Sequence, residues 1–218
     1  MCIRDSPYII PGRTGTMLLP PDLAMLSKSH PNVFAVKEAT GDFENMRAIR
    51  KLCGPEFTIM SGDDDKTIEM MTDASIGAAG VISVVSNILP AAMWEMVTAQ
   101  LRGDSKKASE LLALLKPLIQ VVTVKTEEKT PFGSATCRAR NPLATKTLMN
   151  ILGMPAGPCR QPLGKMTRTG IQMVVEAARK AYDARPELFS PVEKFFDVEV
   201  AERLSEGKYL EGLYYGSY

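Results

Sequence analysis

The chain has too little cysteine and histidine to organise a metal centre. Its four cysteines (Cys2, Cys53, Cys137 and Cys159) are widely scattered, no C-x-x-C pair occurs, and His30 is the only histidine. Zinc is therefore not expected, and isolated thiols fit a reducing, cytoplasmic setting better than a disulfide scaffold. No N-x-[ST] sequon occurs. Neither sign of charge is in excess: 26 Lys and Arg face 25 Asp and Glu, a formal net charge of +1. That balance removes the usual electrostatic reason for a nucleic-acid or anionic-membrane partner. The longest apolar runs are interrupted by Gly, Pro or charge and fall short of a membrane span. What remains is an ordinary globular composition, 45% hydrophobic and 23% charged over 218 residues, enough for a sizeable core and one or two domains.

Met1-Cys2-Ile3-Arg4-Asp5-Ser6 has no apolar stretch of a signal peptide and differs in character from the residues after it. It reads as a foreign N-terminal scar over residues 1–6 and is left out of fold reasoning. Beyond it, strand-like apolar runs begin near Tyr8, Val33, Phe57 and Gly80, at spacings of 25, 24 and 23 residues. Such a beat is what repeated βα units produce. The segments between them have helical character. Pro21 to Ser29 starts with a first-turn proline. Asp42 can cap a helix carrying Phe43, Met46, Ile49 and Cys53 on one face, closed by Gly54-Pro55. Helices are also expected over Asp65 to Asp73 and Pro90 to Arg102.

After Gly103 the beat stops. Helices are expected over Ala108 to Gln120, with a kink at Pro117, over Asn141 to Leu152, and over Ile171 to Arg185 with Ile171, Val174, Val175, Ala178 and Tyr182 on one stripe. Lys125 to Arg140 mixes charge with Pro131 and Gly133 and reads as a surface excursion. The tail from Pro186 holds Phe195, Phe196, Tyr209, Tyr214, Tyr215 and Tyr218. So many aromatics point to docking on a partner surface rather than to free disorder. Four βα units cannot close a barrel that needs eight. An open doubly wound sheet remains an alternative, but the abrupt start at Pro7-Tyr8 favours an N-terminally truncated product.

Lys37 closes the apolar run Val33-Phe34-Ala35-Val36 within Val36-Lys37-Glu38-Ala39-Thr40-Gly41-Asp42. An ammonium drawn into a low-dielectric pocket loses its proton more readily, and the neutral amine can attack a carbonyl to form a Schiff base. The plain alternative is a strand-end lysine facing water beside Glu38. In parallel α/β folds functional groups lie at the carboxyl ends of strands, where Tyr8, Lys37, Gly62 and Ile82 all stand. The plain readings of the other three are a packing tyrosine, a turn glycine and core filler. Gly164-Lys165 lacks P-loop spacing and a preceding strand. Asp63-Asp64-Asp65 has Ile68 where an EF-hand loop needs glycine, so those acids read as caps for the next helix. His30 precedes Pro31 in a loop and is a poor base. Met60, Met70 and Met71 read as adaptable core packing.

Tyr8-Ile9-Ile10-Pro11-Gly12-Arg13-Thr14-Gly15, the Lys37 segment, Ser61-Gly62-Asp63-Asp64 and Gly80-Val81-Ile82-Ser83-Val84 together resemble the dihydrodipicolinate synthase family. This is a branch of the pyruvate-dependent class I aldolases that includes N-acetylneuraminate lyase. The likeness continues more weakly through Asn141-Pro142-Leu143-Ala144-Thr145-Lys146 to about residue 180. It implies the C-terminal half of a TIM (β/α)8 barrel over residues 7–103, a C-terminal helical domain over 104–182 and a family-atypical tail over 183–218. It also implies a lyase that condenses pyruvate with aspartate semialdehyde to give 4-hydroxy-tetrahydrodipicolinate, in lysine and diaminopimelate biosynthesis. In that scheme Lys37 is the Schiff-base lysine and Tyr8 the proton donor and acceptor. Arg13 binds a substrate carboxylate, Gly62 permits close backbone approach, and the Ile82 carbonyl faces pyruvate. No metal or organic cofactor is implied. The parent is expected to be a cytoplasmic homo-oligomer, tetramer or dimer, with no nucleic-acid or membrane partner.

Two departures stand out. Ile9 occupies the position after the tyrosine where the family usually has Asn. The relay's threonine, its second tyrosine (lent by a neighbouring subunit) and the lysine feedback site belong to the family's N-terminal half. The 218-residue chain is therefore expected to be inactive as a synthase. Two further readings stand beside this one. A sialic acid or 2-keto-3-deoxy sugar acid aldolase would use the same Lys37 and Tyr8, but Arg13 favours a second small carboxylate. A half-barrel remnant would persist only as an interaction module.

Overall fold

The beat of apolar runs is a parallel sheet. The computed structural model describes residues 4–216, so Cys2 and Tyr218 lie outside the described residues, as does half of the expected scar. Of that scar, Asp5 is engaged with the fold: its N–H donates to the Asn32 carbonyl at 2.8 Å, and its carboxylate accepts from Asn32 Nδ2 at 2.6 Å.

The elements run in order β1 (Tyr8–Ile9), α1 (Pro11–Thr14), α2 (Pro20–Ser29), β2 (Ala35–Glu38), α3 (Phe43–Cys53), β3 (Thr58–Ser61), α4 (Thr67–Thr72) and β4 (Gly80–Val81). They continue as α5 (Pro90–Leu101), α6 (Ser105–Gln120), β5 (Val124–Thr130), β6 (Gly133–Ala139), α7 (Leu143–Ile151), α8 (Arg168–Ala184), α9 (Ser190–Phe196) and α10 (Val200–Ser205). The chain divides into two compact units. One comprises residues up to Ser83 with Glu95–Leu112, and the other comprises Val84–Trp94 with the residues from Ala113 onward.

In the first unit β1 to β4 pair side by side in chain order, every neighbour parallel. Period-two alternation gives the sheet two characters. Ile9, Val36 and Ile59 turn to the helix side and join Leu23, Met46, Ile49 and Met70 in one buried cluster. Lys37, Thr58 and Met60 fall on the other face and are only half-buried. β1 and β4 each have a single neighbour, and the sheet of described residues stays open.

Local chemistry explains the helix ends. Asp42 caps α3, its carboxylate accepting from the N–H groups of Glu44 at 3.0 Å and Asn45 at 3.2 Å, as expected. Gly54 ends α3 at φ 93°, where a side chain would be strained. Arg50, on the same helix, donates to five carbonyls: Gly54, Pro55 and Phe57 from Nη1, Ile76 from Nε and Gly77 from Nη2, at 2.7 to 3.1 Å. One planar guanidinium thus ties the start of β3 to the loop before β4. The acids Asp63 to Asp65 do not cap α4. Its N-cap is Lys66, with no side-chain cap bond, and α4 begins two residues later than Asp65.

In the second unit α8 forms as a single amphipathic helix. Thr167 caps it by accepting from Gly170 N–H at 2.9 Å, and Ile171, Val174, Ala178 and Ala181 are buried along it. One expectation needs correction. Lys125 to Arg140 is an antiparallel hairpin, β5 against β6, with Thr130 paired to Gly133 across the tip Pro131-Phe132. Its polar composition hid it, because only Val124 and Thr126 of β5 face inward and are buried. Much of the tail packs within its own unit. Leu188, Phe189, Val192, Val200 and Leu204 are buried, and an Arg179 guanidinium donates to the Leu204 carbonyl. Aliphatic residues carry most of this docking, while Phe195 is 81% exposed.

Candidate active site

Parallel pairing sets Tyr8 of β1 opposite Lys37 of β2, and Lys37 opposite Met60 of β3. Paired residues on adjacent strands point their side chains to the same face, about 5 Å apart. The Lys37 Nζ accordingly lies 4.1 Å from the centre of the Tyr8 ring. Burial lowers the Lys37 pKa from the ordinary ammonium range, and the charges of Asp64 and Asp63 oppose that shift. Burial raises the Tyr8 phenol; Asp63 adds to the rise and Arg13 counters it. The pair therefore combines an amine that sheds its proton more readily than usual with a phenol that holds its proton more firmly.

The stem of Lys37 lies along the turn after β3. Gly62 N–H donates to the Glu38 carbonyl at 2.6 Å. A Cβ at position 62 would sit 2.7 Å from Ala39 Cβ, 2.9 Å from the Glu38 carbonyl oxygen and 3.2 Å from Lys37 Cε. Only glycine fits there without displacing the lysine loop. Ile82, just beyond β4, donates its N–H to the Ser61 carbonyl at 2.9 Å and is 43% exposed. Arg13 lies in the short α1 and is exposed, and its charge reaches the Tyr8 phenol.

Lys37, Tyr8 and Gly62 therefore converge closely. Arg13 is linked to the phenol by its field alone, and Ile82 is joined to the β3 end through the backbone. Two acidic groups were missed as site residues. Asp63, read as a cap, is half-buried with its pKa raised by burial first and then by Asp65 and Asp64. Glu38 is fully buried on the helix side of β2, accepting from Thr40 N–H at 3.2 Å and Asn45 Nδ2 at 3.2 Å. Burial is also the main cause that raises its pKa. The strand alternation that turned Lys37 to the face away from the helices could have flagged Glu38 as its buried neighbour. Among the described residues no cluster of three or more His, Cys, Asp or Glu is arranged to hold a metal ion.

Residues 7–181 match the model of the dihydrodipicolinate synthetase family. The chain belongs to this family. It is 38% identical over 173 residues to the 4-hydroxy-tetrahydrodipicolinate synthase of Thermoanaerobacter sp. (strain X514), covering 79% of this chain and 52% of that protein. It is 39% identical over 161 residues to the same-named enzyme of Methanothrix thermoacetophila, covering 73% and 48% respectively. A crystal structure of dihydrodipicolinate synthase from Aquifex aeolicus superposes with a TM-score of 0.67 at 31% identity, covering 79% of this chain and 53% of that one. The chain thus spans about half the length of the family relatives it matches. Its α/β fold, a parallel sheet with covering helices, is that of these dihydrodipicolinate synthases. No helix among the described residues is long and apolar enough to cross a membrane.

Proposed function

We propose that this chain carries the Schiff-base half of a 4-hydroxy-tetrahydrodipicolinate synthase. One observation carries the reading: the Lys37 amine, its pKa lowered by burial, lies 4.1 Å from the Tyr8 ring at neighbouring strand ends. The neutral amine attacks the ketone carbon of pyruvate and, with loss of water, forms an imine. Removal of a methyl proton gives an enamine, whose carbon attacks the aldehyde of aspartate semialdehyde. The amino group of that substrate then closes the ring and displaces Lys37, yielding 4-hydroxy-tetrahydrodipicolinate. Tyr8 gives and takes the protons, Arg13 holds a carboxylate through its fork of donors, and the Ile82 carbonyl faces pyruvate. The clash a side chain would meet at Gly62 supports close backbone approach there.

In this reading the open sheet is half of a (β/α)8 barrel over residues 7–103, followed by the helical domain over 104–182 and the tail over 183–218. The whole protein is a cytoplasmic homo-oligomer acting on small molecules. The names of the relatives favour the synthase over a sugar-acid aldolase or a non-enzymatic remnant. Incubation with pyruvate and borohydride, followed by peptide mapping, tests the assignment. The expected product is a reduced adduct on Lys37, forming at pH values below the ordinary lysine pKa of about 10.4. An adduct on another lysine, or none with a folded chain, would overturn the reading.

A further inference from the structure

A cavity of about 210 Å³ lies wholly within the second unit, between the β5–β6 hairpin, the first turn of α8 and the C-terminal segment. Its inner wall is apolar, with Val124, Leu143 and Met166 each at least nine-tenths buried. Two buried hydroxyls, Thr126 and Thr167, interrupt that wall with their oxygens 3.1 Å apart. Thr167 Oγ1 also accepts from Gly170 N–H. Two hydroxyls carry two protons, and their mutual bond consumes one. Whichever threonine donates, the second proton has no other side-chain or backbone acceptor among the described residues, and both threonines line the cavity. A buried donor of this kind calls for an acceptor.

The mouth is cationic. Arg138 and Lys165 line it, no acidic side chain does, and the positive end of the α8 dipole lies at the Thr167 turn. The tail builds the remaining wall. Tyr215 N–H donates to the Met166 carbonyl at 3.2 Å, and its hydroxyl accepts from Lys165 N–H at 3.2 Å. Gly164 lies beneath that hydroxyl, where a Cβ would collide with it.

We infer that this cavity binds a small aliphatic carboxylate, its oxygens between the threonine pair and the two cations and its tail against Val124, Leu143 and Met166. The volume is below that of drug-sized pockets, about 300 Å³ upward. The patch formed by Val124, Leu143 and Met166 suits an alkyl chain, which inorganic phosphate lacks. The cavity is built from residues of the second unit alone and does not depend on the synthase reading.

Titration of the 218-residue chain with sodium butyrate, followed by amide NMR, tests this. Saturable shifts are expected at Thr126, Lys165 and Gly170, with none for neutral butyramide. The double variant Arg138→Met/Lys165→Met changes two side chains at the rim of the cavity and should melt as the parent does. Its butyrate affinity should fall by roughly tenfold or more, the loss expected for one charge-assisted hydrogen bond. Absence of saturable shifts, an equal response to butyramide, equal displacement by inorganic phosphate, or unchanged affinity in the folded double variant would each overturn the proposal.

Discussion

A carboxyl group shut away from water beside the candidate nucleophile leaves a signature in the pH dependence of stability. Burial raises the Glu38 pKa, so the folded chain keeps this proton at pH values where the unfolded chain has lost it. Across that window the folded state binds more protons, and stability falls as pH rises from the unfolded value, near 4.3, through the folded one. Glu38→Gln keeps an acceptor for Asn45 and cannot ionise. Thermal melts between acid and neutral pH should therefore show a shallower decline for this variant than for the parent; identical slopes would refute the buried-acid account. Gly62→Ala makes a sharper case. The added methyl meets Ala39, the Glu38 carbonyl and the Lys37 stem at once. It should destabilise the fold by about 1–3 kcal/mol in urea titrations, as overpacking typically does, and should suppress the borohydride adduct at Lys37.

Single elements were legible wherever composition and period agreed. Asp42, the apolar stripe of α3 and Gly54 marked a helix that forms where expected, and the stripe from Ile171 marked α8. The β5–β6 hairpin was not legible. Its strands bury almost nothing, so its alternation is between polar residues, and the pattern lies in which of them face inward. Arg50 was silent for a related reason. Its partners are carbonyls, which no side-chain pattern reveals, and they lie on segments up to 27 residues away. Arg50→Lys keeps the charge but cannot span five acceptors from one plane. Denaturant melts should show a loss of about 2–4 kcal/mol, from several carbonyls left unpaired; a loss within about 0.5 kcal/mol, the range of an ordinary surface change, would deny Arg50 its tying role.

At the scale of the whole molecule, the parallel order of four strands could be read from their spacing, because each crossover needs a helix of similar length. The convergence of Lys37, Tyr8 and Gly62 followed from the strand-end rule. The field of Asp63 on that pair did not follow, since it depends on how a turn folds back. The chain spans about half the length of the relatives it matches, and the family resemblance implies that the proposed chemistry also draws on relay groups of the other half. Purified as 218 residues, the chain should therefore give no detectable condensation of pyruvate with aspartate semialdehyde, even where the Lys37 adduct forms; measurable product formation in a coupled assay would refute this. The pairing of Tyr8 with Lys37 has a further consequence for how such a protein tolerates change. Hydrogen bonds between neighbouring backbones, rather than the residues that intervene along the chain, hold phenol and amine together. The exposed loops of the crossover can lengthen or shorten without moving one group relative to the other. A slip of one position in the ladder would instead bring Glu38 to the reacting side and turn the amine into the hydrophobic layer. Insertions in the exposed loops between the strands should thus be tolerated far better than insertions within the strands.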